Sequence, residues 1–167
     1  LYIRIMKKVL LSAMILLAGA SFTSCSSSDD SSINDQKIQN DRENYLIGKW
    51  KVIGGGSGGG VYDPKIRIEG DCYLELMSSE RTECTGEATA YVYYDGEEPF
   101  MTKDVKEDLS FIKWSLQYYE ATGFTLYTYK SESSMPRTHD IDFESDGTIK
   151  LWFHTTYNSY YTLKKVK

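Results

Sequence analysis

Apolar and polar residues alternate with a period of two, in short runs, from Gly48 to the end of the chain. Such alternation is typical of half-buried β-strands, and the runs are rich in Tyr, Phe, Trp, Thr, Val and Ile, which suit pleated surfaces. Turn residues such as the Asp-Gly pair at 146–147 separate them. The pattern predicts strands at 49–53, 65–70, 72–77, 88–94, 111–119, 124–129, 139–145, 148–154 and 160–166.

Residues 99–110 depart from this alternation and predict a short helical turn or a polar loop. About eight or nine antiparallel strands in a chain of this size predict an all-β fold. We expect an antiparallel up-and-down β-barrel, with a β-sandwich as the alternative.

Alternation also assigns the two faces of each predicted strand, because a register shift of one residue would exchange them completely. An eight-stranded barrel has room either for side chains alone or for one small ligand. The inward residues are therefore either core or a pocket for an apolar or amphipathic ligand: Trp114, Leu116, Tyr118, Phe124, Leu126 and Phe153. The outward aromatic residues either pair across strands or form a contact surface for a glycan or a partner protein: Tyr91, Tyr93, Tyr127, Tyr129 and Trp152.

The N-terminal part of the chain predicts export. From Met6, the expected start, two lysines precede an apolar run at 9–22, and Cys25 follows small residues. This layout is typical of a secretory signal, and the run is shorter than the roughly 20 residues of a membrane-spanning helix. "FTSC", residues 22–25, resembles a bacterial lipobox, in which the signal is cut before the cysteine and the cysteine receives acyl chains such as palmitate.

The serine- and aspartate-rich segment after Cys25 is similar to the one that directs Bacteroidetes lipoproteins to the outer face of the outer membrane. The resemblance implies a lipid-anchored outer-membrane protein that faces the cell exterior or, alternatively, the periplasm. We expect residues 1–24 to be a signal peptide and 25–44 a flexible lipidated tether, because 26–44 contains too few apolar residues to form a core. Residues 45–167 are long enough for one domain.

Gly48 and Trp50 open the first predicted strand in a Gly-x-Trp motif. With the later "CYLEL" strand and the Asp-Gly hairpin, this arrangement resembles the lipocalins and the small lipocalin-like domains of Bacteroidetes lipoproteins. The resemblance implies a barrel that binds a small ligand. Lipocalins cover this tryptophan with an arginine from the last strand, where this chain has Lys164 and Lys165. We expect one of these lysines to cover the ring through a cation–π contact.

A run of six glycines and one serine occupies residues 54–60. A phosphate-binding P-loop is excluded, because Gly-Lys-Ser/Thr and a helix would have to follow the run. A linker between domains would isolate a single strand. We therefore expect a mobile loop between the first two strands, either a lid over the barrel mouth or an idle surface loop.

Charge and cysteine content narrow the class of partner. The formal net charge is −5 and there is no basic stripe, which argues against nucleic acid. Cys72 and Cys84 remain once Cys25 is lipidated. In an exported protein they are a candidate disulfide between neighbouring strands, with two independent thiols as the alternative.

No pattern for catalysis or metal binding is present. His139 and His154 are the only histidines, and zinc needs three or four ligands, so we expect both to be surface or rim residues. The stretch 140–147 partly imitates a calcium loop, but Phe153 stands where an EF-hand needs glutamate, and a hairpin explains the stretch. We expect a binding protein without enzymatic activity, cofactor or metal.

Overall fold

The structure is a computed structural model that describes residues 29–58, 63–154 and 158–167. The chain divides into two compact units, Leu1–Gln36 and Lys37–Lys167. The predicted signal peptide and Cys25 lie outside the described residues, and the described part of the first unit is helical. Within the ranges given above, no helix combines the length and the apolar character needed to cross a membrane.

The described residues form two helices and nine strands. The helices are α1 (Asp29–Leu46) and α2 (Val105–Leu109). The strands are β1 (Gly48–Ser57), β2 (Lys65–Leu76), β3 (Thr82–Tyr93), β4 (Met101–Asp104), β5 (Lys113–Tyr119), β6 (Gly123–Tyr129), β7 (Arg137–Phe143), β8 (Thr148–Phe153) and β9 (Ser159–Lys165).

All nine strands belong to one antiparallel up-and-down sheet in the order β4-β3-β2-β1-β9-β8-β7-β6-β5. The all-β prediction is confirmed, but the sheet is not closed, because β4 and β5 are its two edges. β4 is only four residues long and ends at Asp104, whose carboxylate caps α2. One bridge, Arg81↔Lys113, connects the start of β3 to the start of β5.

Helix α2 occupies the connection between the two edge strands. Val105 and Leu109 on this helix are fully buried. The Tyr161 hydroxyl on β9 donates to Asp108 Oδ2 at 2.7 Å, and burial together with this carboxylate raises the pKa of Tyr161. The region predicted as a helical turn or polar loop is therefore β4 followed by a short helix that is anchored to the core.

The predicted strands at 65–70 and 72–77 form one continuous strand, β2, that passes through Gly70 at φ +97°. Its partner β3 has Gly86 at φ +84°, opposite Cys72 in the ladder. A Cβ on Gly86 would lie 2.1 Å from the carbonyl oxygen of Asp71. Glycine is needed there because the backbone conformation disfavours other residues and the two strands approach closely.

The loop interpretation of the glycine run is wrong for residues 54–57, which belong to β1. Gly55 pairs with Tyr161 of β9 on one side and with Ile66 of β2 on the other. Glycine has a low strand propensity, so the sequence gives no reason to expect a strand here. The strand forms because both neighbouring strands supply hydrogen-bonding partners. Residues 59–62, in the rest of the predicted loop, lie outside the described residues.

The chain is helical from Asp29 to Leu46, within the segment for which the sequence predicts a flexible tether. Within the second unit, Gln39 Nε2 donates to Leu116 O at 3.1 Å and Gln39 Oε1 accepts from Tyr118 N at 3.4 Å. The side-chain amide thus pairs with the free edge of β5. These contacts are polar, which explains why a search for apolar periodicity does not detect them.

The inward face predicted by alternation is the core. Trp114, Leu116 and Leu126 are all less than 5% exposed, whereas Tyr118 and Phe124 are only partly buried. Ile112, which alternation places on the same face, lies before β5 and is exposed. The largest side chains with less than 2% exposure come from α1, α2 and five of the strands: Leu46, Trp50, Val52, Leu74, Leu76, Val105, Leu109, Leu126, Thr128, Ile149, Leu151 and Leu163.

Candidate functional site

The six residues predicted to line an interior pocket are spread along the packed core. Four are buried: Trp114, Leu116, Leu126 and Phe153. Phe153 packs against Tyr161, with ring centroids 5.3 Å apart. Trp114 borders a surface cleft of about 260 Å³, whereas Phe124 borders a different one of about 280 Å³. No cavity among the described residues is lined by all six of these side chains. The interior pocket stays a prediction.

Trp50, from the Gly-x-Trp motif, is fully buried, and its Nε1 donates to Leu46 O at 2.7 Å. Lys165 Nζ lies 5.4 Å from the Trp50 ring centroid and 5.1 Å from that of Tyr45. The expected cation–π contact is therefore confirmed, and Lys165 makes it. Burial lowers the pKa of Lys165. This cluster joins α1 to the first and last strands and leaves Trp50 no exposed surface for a ligand.

The two histidines occupy different environments. His139 is 5% exposed and lies between Thr128 Oγ1, at 2.9 Å, and Trp152 O, at 3.1 Å. The expectation of a surface position is wrong for His139, because alternation in β7 turns it inward, and burial lowers its pKa. His154 is exposed, as expected, and contacts Asp140 and Asn158. Among the described residues, no group of three or more metal-ligating side chains lies together.

Cys72 and Cys84 lie on the neighbouring strands β2 and β3, as predicted. Both are thiols, with 3.5 Å between the two sulfurs. Cys72 is fully buried and Cys84 is partly exposed. The neighbouring thiol and burial raise the pKa of Cys72, whereas a hydrogen bond from Cys72 and the charge of Lys106 lower that of Cys84. The disulfide between them stays a prediction.

The outward aromatic residues do not form the single surface that alternation suggested. Tyr91 lies on β3 beside Arg67, whereas Tyr127 lies on β6 and shares a 2.7 Å hydrogen bond with the hydroxyl of Tyr119. Five strands separate β3 from β6 in the sheet order. Trp152, on β8, instead pairs with Tyr160 on β9. Tyr160 is not among the outward aromatic residues predicted from the sequence.

Trp152 and Tyr160 form an aromatic pair, with ring centroids 4.6 Å apart and an interplanar angle of 53°. Tyr160 is also opposite Gly56 of β1 in the adjacent ladder. A Cβ on Gly56 would lie 2.7 Å from the Tyr160 hydroxyl oxygen, and a Cβ on Gly58 would lie 2.8 Å from Trp152 Cη2. Both rings therefore lie against the glycine stretch, in space that larger residues would fill.

Polar side chains from β7 and β8 surround this pair. Trp152 Nε1 donates to Asp142 Oδ2 at 2.7 Å. Lys150 Nζ lies 5.4 Å from the Tyr160 ring centroid and 2.7 Å from Glu144 Oε1, which raises the pKa of Lys150. His154 Nε2 lies 3.1 Å from Asp140 Oδ2. We call this outer surface the Trp152 patch: Asp140, Asp142, Lys150, Trp152, His154 and Tyr160.

No known protein family, curated protein or solved structure shows significant similarity to this chain. The geometry of the described residues is therefore the basis for inferring function. In the sequence, the signal for the Trp152 patch is the combination of outward aromatics with glycines two residues apart, at 54, 56 and 58.

Proposed function

We propose that the protein is a lipid-anchored binding module of a bacterial cell envelope, and that its β domain binds through its outer face rather than through its interior. One observation carries the choice of face. Phe153 and its inward neighbours are buried against one another, whereas Trp152 and Tyr160 keep part of their rings exposed beside polar groups. The lipobox at residues 22–25 and the apolar run before it support the anchor.

Binding at the outer face is energetically reasonable, because exposed aromatic rings gain from being covered. Removing apolar surface from water contributes about 25 cal/mol per Å². Trp and Tyr are also enriched among the residues whose truncation costs most at interfaces. The hydrogen bond from Trp152 to Asp142 fixes the indole ring, so less side-chain freedom would be lost on binding.

Binding in the interior would require the core to open. A ligand there would have to replace contacts such as the one between Phe153 and Tyr161. Emptying the space of one buried Phe or Trp costs about 3–5 kcal/mol. A small ligand would have to offset that cost before it showed any net affinity.

Lipidation is tested by growing bacteria that express the chain with an alkyne-tagged palmitate, followed by detection of the tag. We expect the native chain to be labelled and Cys25→Ser to lose the label. Cys84→Ser, which removes another thiol, is the matched control and should keep it. Labelling that survives Cys25→Ser would contradict the proposed anchor.

The choice between the outer face and the interior is tested by native mass spectrometry of the full chain released from detergent. We expect a bare mass. An adduct of small-molecule size that disappears on denaturation, and that Leu116→Ala removes but Trp152→Ala does not, would contradict outer-face binding.

A further inference from the structure

We propose that the Trp152 patch is a binding site for a neutral hexose unit of a glycan, with the sugar ring on Trp152 and Tyr160 and its hydroxyls facing the polar side chains around them. This inference rests on the proposed function, since it names the ligand of the outer face. It follows from the shape of the glycine strand, from the orientation of the rings and from the charges beside them.

The glycines create the site. Gly56 and Gly58 have no side chains, so the Tyr160 and Trp152 rings can lie against β1 instead of projecting from the sheet. Each ring then covers the strand with one side and leaves part of the other accessible. A sugar ring presents a face of C–H groups that fits such a surface, because these hydrogens carry partial positive charge and the aromatic face is negative.

The angle between the two rings also fits a sugar. At 53° the rings are not coplanar, so a flat aromatic ligand could stack on only one of them. Hexose units, which are puckered and joined by angled linkages, can follow two surfaces that turn relative to each other. The ring spacing of 4.6 Å places both aromatics under one or two hexose units.

The polar groups supply hydrogen-bonding partners along one side of the rings. Asp142 Oδ2 accepts from Trp152 Nε1 and leaves the other carboxylate oxygen to accept from hydroxyls. Asp140 and His154 lie next along the outer face, with 3.1 Å between them. Carboxylate acceptors and an imidazole are suited to sugar hydroxyls, which both donate and accept.

Charge favours a neutral glycan over an acidic one. Asp140 and Asp142 belong to the patch. Glu144 borders it and pairs with Lys150, the cation beside Tyr160. A uronic acid or a phosphorylated sugar would meet these carboxylates with like charge. The formal charge of −5 for the whole chain acts in the same direction.

The test uses biolayer interferometry with the full chain in a non-ionic detergent and immobilised polysaccharides. The panel contains neutral glucans, mannans, galactans and xylans, together with polygalacturonate. We expect binding to at least one neutral hexose polymer and weaker or no binding to polygalacturonate. Trp152→Ala and Tyr160→Ala should each weaken binding by about tenfold or more.

Two glycine variants separate a binding role from a structural one. Gly58→Ala places a methyl group 2.8 Å from the end of the Trp152 ring, so it should tilt the ring and weaken glycan binding while the chain stays folded. Gly54→Ala is the matched control, because nothing lies within 4 Å of its Cβ position, and it should bind as the native chain does. Tyr91→Ala removes an outward ring on β3, which three strands separate from β8 in the sheet, and should also leave binding unchanged.

The outcomes separate this inference from the proposed function. Equal binding by Gly54→Ala, Gly58→Ala and Trp152→Ala, or a preference for polygalacturonate, overturns the glycan site. If no glycan binds and the native mass is bare, the glycan site is overturned but outer-face binding is not. The same holds if the chain binds a protein ligand and Trp152→Ala abolishes that binding. No glycan binding together with an interior adduct overturns both proposals.

Discussion

The ammonium group of Lys165 lies over the indole ring of Trp50, with 5.4 Å between Nζ and the ring centroid. The same ammonium donates to Tyr45 O at the end of α1. Gly48 lies beneath it, and a Cβ on Gly48 would come within 3.1 Å of Lys165 Cε. The Gly-x-Trp motif therefore has a structural explanation, in which the tryptophan is the buried ring and the glycine leaves room for the lysine above it.

Lys165→Met should lower the free energy of unfolding by about 1 kcal/mol, because the alkyl chain stays but the cation–π contact is lost. The hydrogen bond to Tyr45 O is lost as well. Urea denaturation monitored by tryptophan fluorescence measures this change. Lys164→Met, at an exposed position on the same strand, is the control and should have little effect. An increase in stability for Lys165→Met would mean that burying the charge costs more than its contacts return.

Gly48→Ala should be more destabilising than Gly96→Ala. Both glycines have positive φ, +130° and +82°, so alanine is strained at either site. We expect Gly96→Ala to cost about 1–2 kcal/mol from its left-handed backbone conformation. No clash adds to this cost, because nothing lies within 4 Å of the added methyl group. Gly48→Ala adds displacement of Lys165 from Trp50. Equal losses for the two variants in thermal unfolding would show that backbone conformation alone selects glycine at position 48.

Stability should fall on acidification through the titration of His139. Burial lowers the pKa of this imidazole in the folded chain below its ordinary value near 6.5. As the pH falls through about 6.5, the unfolded chain binds a proton at this imidazole that the folded chain does not yet bind. The free energy of unfolding therefore decreases from that pH down to the lower pKa of the folded chain.

Denaturant midpoints measured between roughly pH 5 and 8 test this prediction. His139→Gln should flatten the dependence, although the variant itself will be less stable because its contacts to Thr128 and Trp152 O change. His154→Gln is the control, since this imidazole is exposed, and it should keep the dependence of the native chain. A dependence that follows His154 instead would contradict the assignment.

Helix α1 should contribute to the stability of the β domain. Gln39→Ala removes both hydrogen bonds to the edge of β5 and should cost about 1–2 kcal/mol. Lys37→Ala, at an exposed position in the same helix, should be nearly neutral. A chain that begins at Tyr45 should unfold at lower denaturant than one that begins at Lys37, and equal midpoints would show that this part of the helix adds nothing.

Oxidised glutathione should convert Cys72 and Cys84 into a disulfide. Cys84, partly exposed and with the lower pKa, attacks the glutathione disulfide and releases one glutathione thiolate. Cys72 then loses its proton, displaces the second glutathione and forms the bridge. We expect a loss of two hydrogen masses and a gain in stability of up to about 3 kcal/mol. In Cys72→Ser the reaction should stop at the glutathione adduct, and an adduct that persists in the native chain would contradict bridge formation.

The sequence by itself determined the all-β class, most strand positions and the inward set that includes Trp114, Leu116 and Leu126. A strand has a period of two, so local alternation is enough to separate its faces. The resemblance to lipocalins, which cover this tryptophan with an arginine from the last strand, narrowed the lysine over Trp50 to Lys164 or Lys165.

Only the tertiary structure decided that the glycines belong to β1, that Gln39 pairs with β5 and that Trp152 meets Tyr160 above Gly58. Each of these contacts joins residues that are distant in sequence, and each depends on the register of neighbouring strands or on a helix packed at the sheet edge. Alternation shows which way a side chain points, but the ladder determines what lies beside it.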